Sequence, residues 1–487
     1  MPKKHFSGLR TLAMLVLIIG AAKTVAYAQT FTVLNNFDPT NNGPWFAEYP
    51  DIITQGQDGN LYFTTEDGGN SQFSDGGIFQ MTPAGTLTLL ASFGGSQFSN
   101  RPRNPSGLTL GMDGNFYGTT IEGGSGVLTD FGTVFQVTPA GVITFLYNFS
   151  GGADGGFPYA PPIQASDGNF YGTTGGNGGL PNAGTIYQLT PNGVFTTLYQ
   201  FDNSGTGGDF PSAPLVQGTD GSLYGTTEAG GTFAGGVVFK ISLGGQLTVL
   251  HNFNPAHEGW KPYAPLVQGV DGNFYGTTFQ GGNPNNGTIY KISPTGTVKV
   301  VRTLKAGDGS GPQAGLTLAS DGLFYAAAVL GPGMPNYGTI FRIKSSGLGF
   351  LVLHDFDNNH GSQPHVTLTQ HTSGVFFGDT VYGGNLNISS CMPAGSGCGV
   401  FYSLDEGIRP FAGLLSGFGP VGSTVAILGQ GFTGTNKVAF AGASAPCTVI
   451  SDTYLTTTVP ALAKTGYVTV KRPSGPLKSS RKFVVTP

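Results

Sequence analysis

The chain has little charge, few cysteines, and no stretch that reads as a helix in its mature part. Only 10% of its 487 residues are charged while 82 are glycine, a balance that would point to disorder if apolar residues were scarce. They still make up 39% and are regularly spaced, so a core can be buried. No Gly-x-Ser-x-Gly elbow occurs, and the Gly-Gly pairs fall in turns, which removes the common serine-nucleophile and phosphate-loop signals. The six histidines after residue 250 include no His-x-x-x-His or Glu-x-x-His pair, so no zinc site is expected. Apart from the N-terminus there is no long apolar run, and the mature chain is expected to have no membrane span.

What is present is repetition. Asp113-Gly114-Asn115-Phe116-Tyr117-Gly118-Thr119-Thr120 is the best copy of a phrase whose turn pairs start at Asp58, Asp113, Asp167, Asp220, Asp271, Asp321 and, degraded, Ser373. The steps are 55, 54, 53, 51, 50 and 52 residues, a period that belongs to stacked or radial units. Each unit holds four short apolar runs separated by turn residues, the pattern of antiparallel strands, here named A to D. In the fourth unit these are Leu215 to Gln217, Ser222 to Thr227, Val237 to Ser242 and Gln246 to Phe253. Strand B carries an aromatic in every unit (Tyr62, Tyr117, Tyr171, Tyr224, Tyr275, Tyr325, Phe377), and so does strand C (Phe79, Phe135, Tyr187, Phe239, Tyr290, Phe341, Phe401). Both ladders are assigned to the core between units, with no catalytic role.

Seven D-type strands begin at Phe31, Leu87, Ile143, Phe195, Leu247, Val298 and Phe350. The first precedes any A strand, and the seventh A-B-C set is followed by a poor D. Residues Phe31 to Phe37 are therefore expected to complete the last unit and close the ring, which avoids a bare sheet edge. The count predicts an all-β chain with a seven-bladed β-propeller over residues 29–408.

Lys3, Lys4 and Arg10 precede an apolar stretch from Leu12 to Ala22, and Ala26-Tyr27-Ala28 offers a cleavage site. Residues 1–28 read as a signal peptide, placing the mature protein in a secreted, periplasmic or cell-surface setting. Cys391 and Cys398 have a spacing suited to a small disulfide loop in such a space, in preference to metal ligation by two isolated thiols. Cys447 is expected to be a free, buried, small apolar residue.

From about Arg409 the repeat stops. Val425 to Leu428, Val438 to Phe440, Thr456 to Val459, Tyr467 to Val470 and Lys482 to Val485 are enough for a small immunoglobulin-like β-sandwich over residues 409–487. Gly429-Gln430-Gly431-Phe432, Val438-Ala439-Phe440-Ala441-Gly442, Val459-Pro460 and Gly466-Tyr467-Val468-Thr469-Val470 together resemble the IPT/TIG family. That resemblance implies a spacer or surface module. The repeat resembles the bacterial GloVer tandem-repeat family on Asp167-Gly168-Asn169-Phe170-Tyr171-Gly172-Thr173-Thr174 and Gly184-Thr185-Ile186-Tyr187-Gln188-Leu189-Thr190-Pro191. It departs at Ala326-Ala327-Ala328 and Gly378-Asp379-Thr380. The resemblance implies architecture and export, and no assigned reaction.

In such a blade the A-B and C-D turns share one face, while the B-C loops and the D-to-A crossings share the other. The second set varies in length and composition, so any site is expected there. It carries Trp45, Tyr49, Arg101, Arg103, Tyr159, Glu258, Trp260 and Tyr263, with Glu66, Glu122 and Glu228 opening three B-C loops. Flat aromatics beside carboxylates suit a sugar ring, apolar on its faces and hydrogen-bonding at its edges. The competing reading makes the same aromatics packing between blades and the acids merely solvated. Residues 29–408 carry 10 basic and 25 acidic side chains, residues 409–487 carry 8 and 1. An acidic propeller argues against nucleic acid, while the basic module is suited to an anionic envelope polymer or to the propeller itself. The function expected is an exported, non-catalytic module that binds a glycan or envelope component, with no cofactor. A propeller hydrolase or lyase acting on polysaccharide, using two of the three loop-opening glutamates, and a structural or adhesive surface protein are the alternatives.

Overall fold

The computed structural model describes residues 29–38, 44–45, 52–69, 75–94, 102–124, 130–176, 183–202, 205–331, 337–388, 391 and 395–486. The segment read as a signal peptide lies outside them, as do Tyr49, Arg101 and the side chain of Trp45. Among the described residues there is no helix. Seven four-stranded antiparallel sheets occupy residues 54–92, 103–148, 163–200, 216–252, 267–303, 317–355 and 369–405; these are blades 1 to 7. Blade 4 runs Val216–Gln217, Leu223–Thr227, Val237–Ile241 and Leu247–Asn252, each bound within one residue of expectation.

Blade 7 has only three strands of its own. Its fourth is Thr30–Asn36, which pairs antiparallel with Val400–Asp405, Thr30 opposite Asp405 and Asn36 opposite Val400. The ring is thus closed by the start of the chain, as the strand count requires. Phe31 stacks on His354 of blade 6 at 3.6 Å, and Phe37 is fully buried against Phe63 of blade 1.

The repeated phrase is explained by contacts between blades. The Asp carboxylate of the A-B turn accepts a hydrogen bond from the strand B tyrosine, at 2.9 Å for Tyr117 and Asp113 and 2.7 Å for Tyr171 and Asp167. Where Ser373 replaces that Asp, Phe377 replaces the Tyr, so the hydroxyl is lost together with its acceptor. Five of these tyrosine rings lie against the Phe of the next blade, as Tyr117 does on Phe170 at 3.9 Å and Tyr224 on Phe274 at 3.9 Å, while Tyr171 shares its core with Leu223. The Gly that follows leaves room for the strand C aromatic: a Cβ at Gly172 would lie 2.3 Å from the Tyr187 hydroxyl oxygen.

One ladder assignment is corrected. Gly118 faces Phe135 and Gly172 faces Tyr187, but Gly378 faces Tyr402, so Tyr402 and not Phe401 holds the strand C position in blade 7. A one-residue shift moves a strand side chain to the opposite face, and Phe401 packs instead with Phe37 and Phe63 at the joint with blade 1.

Strands A lie innermost, and their glutamines tie the ring together. Gln55, Gln164, Gln217, Gln268 and Gln370 each accept a backbone N–H from the A-B turn of the preceding blade, at 2.8–2.9 Å. The C-terminal domain, residues 413–486, is a sandwich around Val425, Ile427, Phe440, Val468 and Phe483. It contains a strand not expected from sequence, Ala443–Ser451, whose small residues and Pro446 hide it. Cys447 in that strand is only half-buried and packs against the core.

This domain sits on the A-B turn face. Thr453 Oγ1 donates to the Gln57 carbonyl at 2.7 Å, Gln430 donates to Thr372 Oγ1 at 2.9 Å, and Ala426, Leu428 and Tyr454 join the core between blades 1 and 2. Despite the opposite charges of the two domains, no ion pair among the described residues crosses this junction.

Candidate functional site

The opposite face is built from a second repeated device. In six of the seven D-to-A crossings one residue pairs with a residue just beyond the end of strand B: Trp45 with Asp67, Arg103 with Glu122, Asp209 with Ala229, Trp260 with Gln280, Ser310 with Leu330 and Ser362 with Tyr382. Trp45, Arg103 and Trp260, chosen from sequence by type alone, therefore occupy equivalent rungs around one rim. The next residue is left-handed before a proline: Asn104 at φ 56°, Phe157 at 56°, Phe210 at 65°, Lys261 at 58° and Gln363 at 54°. Non-glycine residues pay about 1 kcal/mol or more for this conformation, which the surroundings must impose. They do so by pinning both sides of the peptide, as when Lys261 N–H donates to the Gly235 carbonyl and its own carbonyl accepts from Phe279 N–H, both at 3.0 Å. The proline fits against a glycine of the preceding blade, where a Cβ would come within 2.6 Å of Pro211 at Gly184 and 2.7 Å of Pro262 at Gly236.

These crossings lead from the outer strand D to the inner strand A, which carries Tyr159 and Tyr263 to the inner end of the rim. Four blades converge there. Arg103 bridges Glu122 at 2.5 Å and Asp130 at 2.7 Å; burial works against its charge, but the two carboxylates hold its pKa above the ordinary value. Tyr159 is raised by burial and by the nearby charges of both Glu122 and Glu228. Glu228 is raised chiefly by burial, against the hydrogen bond from Tyr263 and the charge of Lys261. Asp209, beside it, is also raised by burial. Lys261 Nζ lies 5.2 Å from the Trp260 ring centre and 5.7 Å from that of Tyr263, within cation–π range.

The structure thus brings together Arg103, Glu122, Tyr159, Glu228, Trp260 and Tyr263. It does not bring Glu258 with them: that carboxylate binds His251 Nε2 at 2.5 Å on strand D, at the outside of the blade. Glu66 opens the B-C loop of blade 1 as Glu228 does in blade 4, and has its own contacts there. Sequence reasoning missed Asp209 and Asp130 as members; the signal that finds Asp209 is its place just before the recurring dipeptide of a variable residue and Pro, at Asn104, Phe157, Phe210, Lys261, Gly311 and Gln363. Cys391 and Cys398 are joined, buried beside Phe37 and Phe401. No group of three metal-ligating side chains occurs among the described residues.

The Gloeobacter/Verrucomicrobia repeat is matched over residues 54–261 and 243–438. The chain belongs to that repeat family. An IPT/TIG domain is matched over residues 415–484. No curated protein matches the chain. Solved structures with a similar course include a fungal alcohol oxidase of the AA5 family in complex with copper, 13% identical with a TM-score of 0.48, covering 92% of this chain and 100% of that one. Another is a gluconolactonase from Xanthomonas campestris, 12% identical with a TM-score of 0.39, covering 74% and 96%. A third is a calcium-binding protein, regucalcin, from Agrobacterium tumefaciens, 14% identical with a TM-score of 0.40, covering 67% and 95%. At these values nothing about the chemistry of this repeat protein follows from them.

Proposed function

We propose that this repeat protein is an exported, non-catalytic module that holds a glycan or another envelope component on the rim formed by its B-C loops and D-to-A crossings. One observation carries the reading: Tyr159 packs on Phe210 of the next crossing at 5.5 Å, with the charges of Glu122 and Glu228 near enough to bear on its hydroxyl, so aromatic and acidic groups of neighbouring blades share one part of the rim. Aromatic faces with fixed acceptors at their edges match the two-sided chemistry of a pyranose ring. The left-handed residues give the rim a fixed backbone, which lowers the ordering cost of binding. The Cys391–Cys398 bond supports an oxidising compartment.

A second reading, polysaccharide hydrolysis, is favoured by the burial that raises the Glu228 carboxyl, since a general acid needs its proton near neutral pH. A glycan array of the mature protein, followed by calorimetry on the best binder, tests the first reading. Tyr159→Ala is expected to weaken binding about five-fold or more, the loss of one aromatic platform worth roughly 1 kcal/mol. Glu228→Gln separates the two: it leaves a binder without turnover merely altered in affinity, and it abolishes turnover if the protein is a hydrolase.

A further inference from the structure

A separate surface lies on the IPT/TIG domain, and strand register builds it. In the sheet of Lys437–Phe440, Gly466–Arg472 and Gly475–Thr486, the residues Val438, Phe440, Val468, Val470, Leu477 and Phe483 belong to the core. Side chains alternate across a strand, so the opposite side carries three cross-strand rows. The first is Lys437, Lys471 and Pro476, the second Ala439, Thr469 and Lys478, and the third Tyr467 and Lys482. Four lysines thus share one face, and all four are exposed.

Nothing in the domain answers their charge. Residues 409–487 carry 8 basic side chains and 1 acidic. That acid, Asp452, accepts hydrogen bonds from the N–H groups of Gly431 and Thr433 and from the Thr433 hydroxyl. No ion pair among the described residues includes any of the four lysines. Lys437 stands directly opposite Lys471, and like charges so placed destabilise a sheet. A face that serves solubility alone mixes both signs; this one keeps a single sign at a cost. Along its margin an open cleft runs from Lys478 past the A-B turns of blades 5 and 6 to Arg409, which extends the positive surface. Asp321, the carboxylate bordering that cleft, accepts from the Tyr325 hydroxyl at 3.0 Å and is paired with neither cation.

The layout of the charges selects the partner. Rows two residues apart lie about 7 Å from one another, so the lysines extend over about 14 Å. Ala439 and Thr469 between them are small and leave the sheet flat. A long flat row of separate charges meets a polymer with repeated charge better than a single small anion. Tyr467, the ring on this face, is covered by Lys478 at 3.8 Å, which leaves no open platform for a base. No arginine stands in the rows to grip phosphate or guanine with two parallel hydrogen bonds.

We propose that this face binds an acidic polysaccharide, its successive carboxylates lying along the lysine rows. The polymer supplies the counter-charge that the domain omits. The surface is independent of the rim reading, because it shares no residue with it.

The test is titration of the mature protein with polygalacturonate, neutral dextran and single-stranded DNA, beside a variant carrying Lys437→Gln, Lys471→Gln, Lys478→Gln and Lys482→Gln. Polygalacturonate should bind saturably and dextran should not, with the fourfold variant weakened about ten-fold or more and melting near the parent temperature. Replacing two exposed propeller lysines, Lys299→Gln with Lys344→Gln, should leave the affinity unchanged. Failure of polygalacturonate to bind, undiminished binding by the fourfold variant, or an equal loss in the propeller variant overturns the proposal. Tighter binding of DNA than of polygalacturonate also overturns it, in favour of nucleic acid. Should the fourfold variant not fold, Lys437→Gln with Lys471→Gln decides instead: weaker binding supports the face and unchanged binding overturns it.

Discussion

Removing residues 29–38 tests the closure of the ring. Phe37 is fully buried beside Phe63 and Phe401, and losing such a side chain costs about 3–5 kcal/mol. Phe31 is half-buried yet stacked at 3.6 Å on His354 and set edge-on to Phe356 at 5.7 Å, which adds about 2 kcal/mol. Val33 and Leu34 are half-buried and contribute about 1 kcal/mol each. These terms reach about 7–9 kcal/mol against a typical net stability of about 5–15 kcal/mol, before counting the bare edge left on Val400–Asp405. Calorimetry of chains starting at residues 29 and 39 should therefore show the shorter one unfolded or aggregated where the longer one is native. The point variant Phe37→Ala should lose about 3–5 kcal/mol in urea with its slope unchanged. A shorter chain that melts at the parent temperature would refute the reasoning.

Burial holds His354 at a pKa of about 4, below its ordinary 6.5, so the unfolded chain takes up a proton that the folded chain refuses. Stability should fall as pH drops from about 6.5 to 4, by about 1–2 kcal/mol after allowing for partial exposure; His371, also lowered by burial, acts in the same direction. In His354→Phe the pH slope should be visibly shallower, and an unchanged slope contradicts the assignment. Gly184→Ala places a Cβ 2.3 Å from the Thr174 carbonyl at a φ of 106°, and should cost more than about 2 kcal/mol by urea unfolding. Alkylation without reduction followed by mass spectrometry should label Cys447 alone, and reduction should cost about 2 kcal/mol, because the loop between Cys391 and Cys398 is short.

The propeller was legible in the sequence because its signature is local. The Asp-Gly turn, the tyrosine four residues after the Asp and the Gly that follows it serve contacts that recur every blade, so the period exposes them. The closing strand was legible by count alone. The Phe401 assignment failed because Gly378-Asp379-Thr380 departs from the pattern, and aromatics at both 401 and 402 satisfy it. Strand Ala443–Ser451 was hidden by Pro446 and by alternation too weak to mark a face. At the rim, residue type found Arg103, Tyr159 and Glu228, since unusual side chains stand out among Gly, Ser and Thr. It misplaced Glu258, because the turn before a crossing lies outside the blade and sequence gives no radius.

The most direct test of the central claim is calorimetric titration of the best array glycan into the parent protein and into Tyr159→Ala and Trp260→Ala, with thermal midpoints measured alongside. The account predicts saturable binding by the parent, and both variants weakened about five-fold or more with midpoints close to the parent's. No glycan bound by the parent, together with both variants melting early, would make these rings packing between blades and contradict the claim.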